Sequence, residues 1–295
     1  MLQRFGHDLY QLDRAPNHSE VQSIKIQGKG YRIVFCSFLP LSMSLMKLTD
    51  RLLHKAKTIL PIGRKDTNRL PSKESSLRYL RESGMSISSI LDVGVQHETN
   101  ELKEIFPDVR HFLFEPVEEY YSYIEHNYRD LDHVLVKAAL SNKNGSEILQ
   151  IKKLKSTTVT HSSLETSTEK EDFETRVVQT QTLDTFLKTQ NGAGPYLLKI
   201  DVDGHEMAIL EGSVETLKRT SCVIIEAPLH TLPERLNYLE SKGFYLWDIV
   251  DLCYYYNNLH QVDLIFLSNH EKQRPAFSPW QNYEFSWQAW KPFLR

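Results

Sequence analysis

Short apolar runs alternate with amphipathic segments over most of this chain. Such alternation is typical of parallel strands that are connected by helices. The apolar runs predict strands over residues 89–94, 111–115, 133–139, 196–200, 222–226, 244–250 and 262–268. The amphipathic segments predict helices over residues 72–84, 99–106, 117–128, 183–190, 207–212 and 232–242. The sequence therefore predicts an α/β fold with a doubly wound, mostly parallel sheet.

Two parts of the pattern depart from this alternation. The connection between the last two predicted strands, residues 251–261, is too short for a helical crossover, so these strands should run antiparallel. Residues 146–151 alternate like an edge strand, and residues 176–182 are candidates to pair with it. Residues 155–174, which lie between them, are rich in serine, threonine and glutamate and poor in apolar residues. This composition predicts a mobile loop.

The main domain is predicted to span residues 72–270. Residues 1–71 form an N-terminal extension, which we predict to be partly disordered with one amphipathic helix over residues 47–59. Residues 271–295 form a tail that holds three of the four tryptophans. This aromatic tail either packs onto the domain's own core or serves as a substrate lid or a homo-oligomer contact, since Trp and Tyr favour interfaces.

Composition and charge narrow the class of protein. The chain is 40% hydrophobic, which is enough for a core, and its formal net charge of -3 gives no electrostatic argument for nucleic acid or an anionic membrane. Three widely spaced cysteines form neither a metal-ligand pair nor a disulfide framework, which predicts a reducing, cytoplasmic location. We predict no transmembrane helix, because the longest apolar stretch near the start, residues 33–46, is too short and contains Pro40.

Titratable side chains cluster where the predicted strand over residues 196–200 ends. The sequence there runs Asp201-Val202-Asp203-Gly204-His205-Glu206. Ligands of open parallel sheets bind outside the carboxyl ends of the strands, so this cluster is a candidate site. Alternatively, Asp203 only caps the next helix and Glu206 lies favourably in its first turn. A second predicted strand with the same ending, Asp92-Val93-Gly94, favours the functional interpretation.

The first two predicted strands favour a nucleoside as the ligand. Gly94 allows a ligand to approach the backbone just past the first strand. Glu115, at the end of the second, stands where such a protein accepts hydrogen bonds from a ribose diol. It follows Asp92 by 23 residues, near the spacing of about 20 in nucleotide-binding units. The G-x-G-x-x-G fingerprint is absent, so a nucleoside fits better than a pyrophosphate-linked ligand.

Several short motifs, taken in order, resemble those of the FkbM-type family of S-adenosylmethionine-dependent methyltransferases. The resemblance covers residues 75 to 268, and no single motif is specific without the others. The motifs are Leu91-Asp92-Val93-Gly94-Val95, Phe112-Leu113-Phe114-Glu115-Pro116, Ala138-Ala139-Leu140-Ser141 with Gly145, Ser162-Ser163-Leu164, Thr182-Leu183-Asp184, Leu198 to Glu206, Glu226, Gly243-Phe244 and Asp263. The resemblance implies a Rossmann-like class I methyltransferase domain with a seven-stranded sheet.

The resemblance also implies a cofactor site for S-adenosyl-L-methionine. By the family pattern, its residues would be Asp92, Gly94, Val95, Gln96, Glu115, Pro116, Ala138, Ala139 and Asp201. Asp92 and Gly94 would lie against the methionine part, and Glu115 would hold the ribose. The alanine pair would flank the adenine, and Asp201 would lie near the transferred methyl group. Family members typically methylate hydroxyls of sugars, glycolipids or natural products.

Methyl transfer to a hydroxyl needs alignment of the reactants and removal of a proton. Histidine is the readiest base near neutral pH, so we predict His205 as the catalytic base beside Asp201, with His97 as a further candidate. The candidate substrate residues are Ser162, Ser163, Asp203, Glu206 and Glu226. We predict no metal, although Asp201, Asp203 and Glu226 offer the carboxylates that a divalent cation would need.

One position departs from the family pattern. The loop after the first strand usually runs D-x-G-x-x-x-G, and Glu98 occupies the place of the second glycine. Either Glu98 is turned outward, or its carboxylate weakens cofactor binding. The second case favours a non-catalytic binding or scaffold protein, and a nucleotide-sugar-modifying enzyme of another chemistry is a further alternative. We predict an S-adenosylmethionine-dependent O-methyltransferase that acts on a hydroxyl of a sugar, glycan or glycosylated natural product.

Overall fold

The computed structural model divides the chain into two compact units, Met1–Lys65 and Asp66–Arg295. The residues described are 2–5, 8–13, 21–26, 32–36 and 69–290, with gaps at 155–157, 165–172, 191, 280–281 and 288–289.

The first unit contains a small antiparallel sheet. Its strands are β1 (Leu2–Phe5), β2 (Asp8–Asp13), β3 (Val21–Ile26) and β4 (Arg32–Cys36), each paired with the next. These strands were not predicted from the sequence, because each is too short to show a clear alternation of apolar and polar residues. The helix that we predict over residues 47–59 lies outside the described residues.

The second unit contains the predicted alternation of strands and helices. The strands are β5 (Ser89–Val93), β6 (Arg110–Phe114), β7 (His133–Val136), β8 (Ala139–Leu140), β9 (Gly145–Leu154), β10 (Thr158–Ser163), β11 (Phe173–Gln181), β12 (Tyr196–Ile200), β13 (Thr220–Pro228), β14 (Phe244–Tyr255) and β15 (Asn258–Ser268). The helices are α1 (Lys73–Glu82), α2 (Asn100–Ile105), α3 (Tyr121–Asn127), α4 (Leu183–Thr189), α5 (Glu206–Glu211), α6 (Val214–Leu217) and α7 (Leu232–Ser241).

A seven-stranded sheet forms the centre of this unit, in the order β14-β15-β13-β12-β5-β6-β7. Its strands are parallel except β15, which runs antiparallel to both β13 and β14. The chain proceeds from β5 towards one edge and returns through β12 towards the other, so the topological switch point lies between β5 and β12. This confirms the predicted doubly wound α/β fold with an antiparallel last strand.

Apolar side chains fill both faces of the sheet. One cluster joins alternate strand residues, such as Leu91 and Leu198, to the helices α4, α5 and α7. The other cluster joins the intervening residues, such as Ile90 and Leu197, to α1 and α2. Because both faces are covered, these strands are continuous apolar runs in the sequence, and this is why they could be predicted.

A second sheet, in the order β10-β9-β11-β8, corrects two predictions. The predicted strand over residues 133–139 ends early, since the chain turns where the Ala138 amide donates to the Val136 carbonyl at 2.9 Å. The next two residues form β8, which pairs with β11. The predicted loop over residues 155–174 contains β10, which pairs with β9. Pairing of this kind depends on backbone hydrogen bonds, so the polar composition did not reveal it.

The last two strands are antiparallel, as predicted, but they are longer than predicted. They continue into a hairpin that turns at Tyr256 and Asn257, whose φ angles are 47° and 61°. Most of the predicted connection therefore belongs to the strands themselves. The sequence lacks the Asn-Gly or Asp-Gly signal that usually marks such a turn.

The described residues of the aromatic tail pack onto the core at Phe277 and are exposed further along. Phe277 is fully buried, whereas Phe285, Trp287 and Trp290 are 61%, 77% and 64% exposed. Its role as a lid or an oligomer contact stays a prediction. Among the residues that the structure describes, none of the helices has the length and apolar character that a membrane span requires.

Candidate functional site

The carboxyl ends of β5 and β12 meet at Gly94. Its φ is +81°, and a Cβ atom there would lie 1.9 Å from the carbonyl oxygen of Asp201. The amide of Asp201 in turn donates to the carbonyl of Val93 at 3.1 Å. Only glycine combines this backbone conformation with so close a contact. Gly94 therefore fixes the distance between the two strand ends at the switch point.

A buried group of charges lies beside this contact. Lys199 is the partner of Asp92 in the register of β12 and β5. Its ammonium nitrogen lies 3.3 Å from Asp92 Oδ1 and 3.2 Å from Asp201 Oδ2. Burial alone would lower the pKa of Lys199, but the two carboxylates raise it above its ordinary value, so the ammonium stays charged.

Asp201 is ionised and reaches the surface. Burial favours its neutral form, but the ammonium groups of Lys199 and Lys73 together hold the pKa of this carboxyl below its ordinary value. Its side chain is 37% exposed, whereas Asp92 is fully buried. Of the two acids beside Lys199, Asp201 is therefore the one that a ligand can contact.

Glu115 follows β6 and is almost completely buried, with 2% of its surface exposed. Its Oε2 atom accepts the Gln96 amide at 2.8 Å, and its Oε1 atom accepts the Val117 amide at 2.9 Å. Burial raises its pKa to about 7, against the opposing effect of the two amide donors. A carboxylate has about four acceptor positions. The backbone occupies two of them, so two remain for a ligand.

The loop after β5 turns the side chain of Glu98 away from the cleft. The ammonium of Lys103 forms a short ion pair with the carboxylate of Glu98. His97 is exposed and lies against the rings of Tyr120 and Tyr123, with centroids 4.8 Å and 4.9 Å away. Of the two alternatives given by the sequence, the structure has Glu98 turned outward.

His205 stands at the start of α5, one residue after the turn at Gly204, whose φ is +87°. Its side chain is half-buried, and Nε2 lies 3.0 Å from the hydroxyl oxygen of Ser141. This contact connects the helix start with the segment that follows β8.

Glu226 lies near the end of β13 and accepts a hydrogen bond from the side-chain amide of Gln261. Burial, together with the nearby carboxylates of Asp201 and Asp263, raises its pKa to about 7. A carboxyl group with this pKa exchanges protons readily near neutral pH, so Glu226 is a second acid–base candidate beside His205.

These residues line one cleft at the carboxyl edge of the sheet, with an empty volume of about 900 Å³ that includes space open to solvent. The predicted site residues that line the cleft are Gly94, Gln96, Glu115, Pro116, Ala138, Ala139, Asp201, Asp203, His205 and Glu226. The structure therefore brings together residues from five separate parts of the sequence.

Asp92, Val95 and Glu206 are predicted site residues that do not line the cleft. Asp92 is buried beneath it, and Val95 is 2% exposed and packs in an apolar cluster with Leu113. Glu206 is 1% exposed, and its Oε2 atom lies 2.5 Å from the guanidinium of Arg235. This buried ion pair takes up one oxygen of the Glu206 carboxylate, and the assignment of Glu206 to the substrate stays a prediction. Asp92 and Val95 lie beneath the cleft and do not form its surface.

Ser162 and Ser163 lie in β10, where they pair with Ile151 and Gln150 of β9. Leu164, the next residue, lines the cleft. Their assignment to the substrate stays a prediction.

The apolar wall of the cleft and the charged groups beneath it were not predicted from the sequence. The wall residues are Val93, Phe114, Leu140, Leu149, Leu164, Val202 and Ile209. The role of Lys199 could have been predicted, since a lysine inside a buried apolar strand needs partners for its charge. The position of Leu149 could not have been predicted, because β9 reaches the cleft only through its pairing in the second sheet.

No metal centre is evident in the part of the chain that the structure describes. No group of three or more His, Cys, Asp or Glu side chains is arranged there to hold a metal ion. Asp92, Asp201 and Asp263 instead lie beside ammonium groups, as in the contact of 2.9 Å between Asp263 and Lys73.

Comparison with known families identifies this architecture. A family model described as the methyltransferase FkbM domain matches residues 92–246. The chain belongs to the FkbM methyltransferase family. The match begins in β5 and ends in β14, so this FkbM domain includes the switch point and every polar side chain of the cleft. The resemblance stated from the motifs is thereby confirmed. A search of curated proteins found no match.

Several solved structures show a limited likeness to this chain. Precorrin-6y C5,15-methyltransferase from Geobacter metallireducens GS-15 has 13% identity and a TM-score of 0.37 over 68% of this chain and 89% of its own. The 23S rRNA methyltransferase ErmE has 10% identity and a TM-score of 0.38 over 68% and 70%. The ribosomal protein L11 methylase from Lactobacillus delbrueckii subsp. bulgaricus has 10% identity and a TM-score of 0.38 over 67% and 79%. These likenesses concern the fold alone.

Proposed function

We propose that this FkbM-family protein is an S-adenosylmethionine-dependent O-methyltransferase that acts on a hydroxyl of a sugar, glycan or glycosylated natural product. The family supports methyl transfer in general. The observation that carries the proposal is Glu115, a buried carboxylate that lines the cleft and has two acceptor positions left by the backbone.

The residues present fit S-adenosylmethionine. Two vicinal ribose hydroxyls match the two remaining acceptor positions of Glu115. Ala138 and Ala139 leave room for a flat base, and Leu140 adds an apolar surface. Asp201, held ionised by Lys199, would attract the cationic end of the cofactor. When bound, S-adenosylmethionine supplies a methyl group on a positively charged sulfur.

His205 and the carboxylates of the cleft have separate tasks in this proposal. His205 would take the proton of the acceptor hydroxyl, and the bound cofactor would supply the methyl group that the acceptor oxygen receives. Asp203 and Glu226 line the same cleft and would orient the other hydroxyls of the acceptor. A hydroxyl acceptor is the class that needs such a base, because its proton leaves with difficulty at neutral pH.

Transfer of a radioactive methyl group tests this function. The purified protein is incubated with methyl-labelled S-adenosylmethionine and, separately, with mixed glycans, small glycosides, RNA and protein. We expect label on a carbohydrate in a linkage that survives alkali, as a methyl ether does and a methyl ester does not. Label on RNA or protein alone, or on a nitrogen, would contradict the proposed acceptor class.

The non-catalytic alternative depended on a Glu98 carboxylate that weakens cofactor binding. The ion pair with Lys103 turns this carboxylate away from the cleft and so weakens the case for the alternative. We predict that Glu98→Gln and Glu98→Gly change cofactor affinity by less than about fivefold, or about 1 kcal/mol, because Glu98 is paired with Lys103 and does not line the cleft. Isothermal titration calorimetry with S-adenosylhomocysteine measures this, with Lys103→Met as the matched control. A gain of affinity well beyond this limit in Glu98→Gly would show that Glu98 obstructs the cofactor and would revive the alternative.

Cofactor binding should strengthen with rising pH. The ionised form of Glu115 accepts both ribose hydroxyls, and below its pKa of about 7 the carboxyl must first lose a proton. We therefore expect the dissociation constant of S-adenosylhomocysteine to fall by about tenfold from about pH 6 to about pH 8 and then to level off. Glu115→Gln is the control for titration of the ligand itself. Parallel pH profiles of the two proteins would contradict the assignment.

A further inference from the structure

A chain of two hydrogen bonds leads from His205 away from the cleft. Nε2 of His205 lies 3.0 Å from Ser141 Oγ, and Ser141 Oγ lies 3.0 Å from Glu147 Oε1. Ser141 is 1% exposed and does not line the cleft. The three side chains come from the start of α5, the residue after β8, and β9. Neither Ser141 nor Glu147 has a role in the function proposed so far.

The chemistry of the three groups fixes the direction of both bonds. An ionised carboxylate only accepts hydrogen bonds, so the Ser141 hydroxyl donates its proton to Glu147. The Ser141 oxygen can then only accept from His205, so Nε2 carries the ring proton. In a neutral imidazole one nitrogen is protonated and the other has the lone pair. The lone pair of His205 is therefore on Nδ1.

The backbone holds Ser141 in the place that this chain of bonds requires. The Ser141 amide donates to the Gln181 carbonyl of β11 at 3.0 Å. Its own carbonyl lies so close to α5 that a Cβ atom at Gly212 would be 2.2 Å from the Ser141 oxygen. Both contacts involve backbone atoms, so they fix the backbone of Ser141, from which the hydroxyl extends by one short side chain.

We infer that Ser141 and Glu147 are positioning residues that hold the His205 ring in the tautomer protonated on Nε2. The inference rests on the proposed function for the identity of the reaction, but the tautomer itself is a property of the protein without any ligand. Glu147 also stabilises the imidazolium that forms when His205 takes a proton, since its negative charge acts through the Ser141 hydroxyl.

Nuclear magnetic resonance of the protein with nitrogen-15-labelled histidine tests the tautomer directly. The His205 signals are assigned by their loss in His205→Ala. We expect the Nε2-protonated form in the natural protein and a mixture of tautomers in Ser141→Ala and in Glu147→Leu. A natural protein protonated on Nδ1, or a tautomer that neither variant changes, would overturn the inference. The tautomer of His205 can be measured in this way even if no methyl transfer is found.

Kinetics test the functional part. Ser141→Ala should lower kcat by about tenfold, the rate equivalent of one hydrogen bond, with the affinity for S-adenosylhomocysteine unchanged. In a His205→Ala background the same change should have no further effect. Equal losses in both backgrounds would mean that Ser141 is only structural.

A matched control exists in the same region. Ser213 is fully buried, and its hydroxyl donates to the Ile209 carbonyl at 2.6 Å. Ser213→Ala removes a comparable buried hydroxyl that has no contact with His205. We expect it to change neither the His205 tautomer nor kcat. A tautomer shift in Ser213→Ala as large as in Ser141→Ala would point to general loosening of this region and would count against the inference.

Discussion

Replacing His205 with alanine should lower the turnover number by about 10²- to 10⁴-fold, the usual contribution of a general base. The side chain lines the cleft, whereas the groups proposed to hold the ribose and the cationic end of the cofactor are Glu115 and Asp201. Affinity for S-adenosylhomocysteine should therefore stay nearly the same. Single-turnover methyl transfer at saturating cofactor, together with calorimetry on the same sample, measures both quantities.

Two further variants decide between His205 and Glu226, whose pKa of about 7 also suits a base. His205→Gln keeps an amide that can donate to Ser141 but cannot take the proton, so it should be as slow as the alanine variant. Glu226→Gln should retain most of the turnover if Glu226 only orients the acceptor. Full activity of His205→Ala combined with an inactive Glu226→Gln would transfer the role of base to Glu226.

Replacing Glu115 with alanine should weaken cofactor binding by about a hundredfold or more. Hydrogen bonds to a charged group contribute about 1.5–3 kcal/mol each, and we assign two of them to the ribose. Glu115→Gln keeps the size and one carbonyl acceptor, so its loss of affinity should be smaller. Calorimetric titration with S-adenosylhomocysteine measures the difference.

The alanine variant also deprives the buried amides of Gln96 and Val117 of their acceptor, which costs stability apart from any effect on the ligand. Thermal unfolding of the ligand-free variants must therefore accompany the titration. Unchanged affinity in a folded Glu115→Ala protein would remove Glu115 from the cofactor site.

The strands of the central sheet could be predicted because burial on both faces makes a strand such as β12 a continuous apolar run. The cleft could be predicted in outline because the carboxyl ends of neighbouring parallel strands lie together, which brings Glu115 and Asp201 to one edge. The importance of Gly94 could also be predicted from the sequence. In the structure, glycine is required there mainly because the Asp201 carbonyl approaches so closely.

What could not be predicted depends on contacts between residues far apart in the sequence. Glu206 stands among acids that line the cleft, but Arg235, 29 residues later, takes up its carboxylate in a buried pair. Strand β10 is polar and is defined by its pairing with β9. Ser141 belongs to a motif of the family, but its contact with His205 spans 64 residues and has no local signature.

Calorimetric titration of the purified full chain with S-adenosylmethionine and S-adenosylhomocysteine, with and without magnesium, tests the central claim most directly. We predict micromolar binding of both that does not require magnesium and that Glu115→Ala weakens by about a hundredfold or more. A folded protein that binds neither compound would contradict the account and would favour a methyltransferase fold used as a binding or scaffold module.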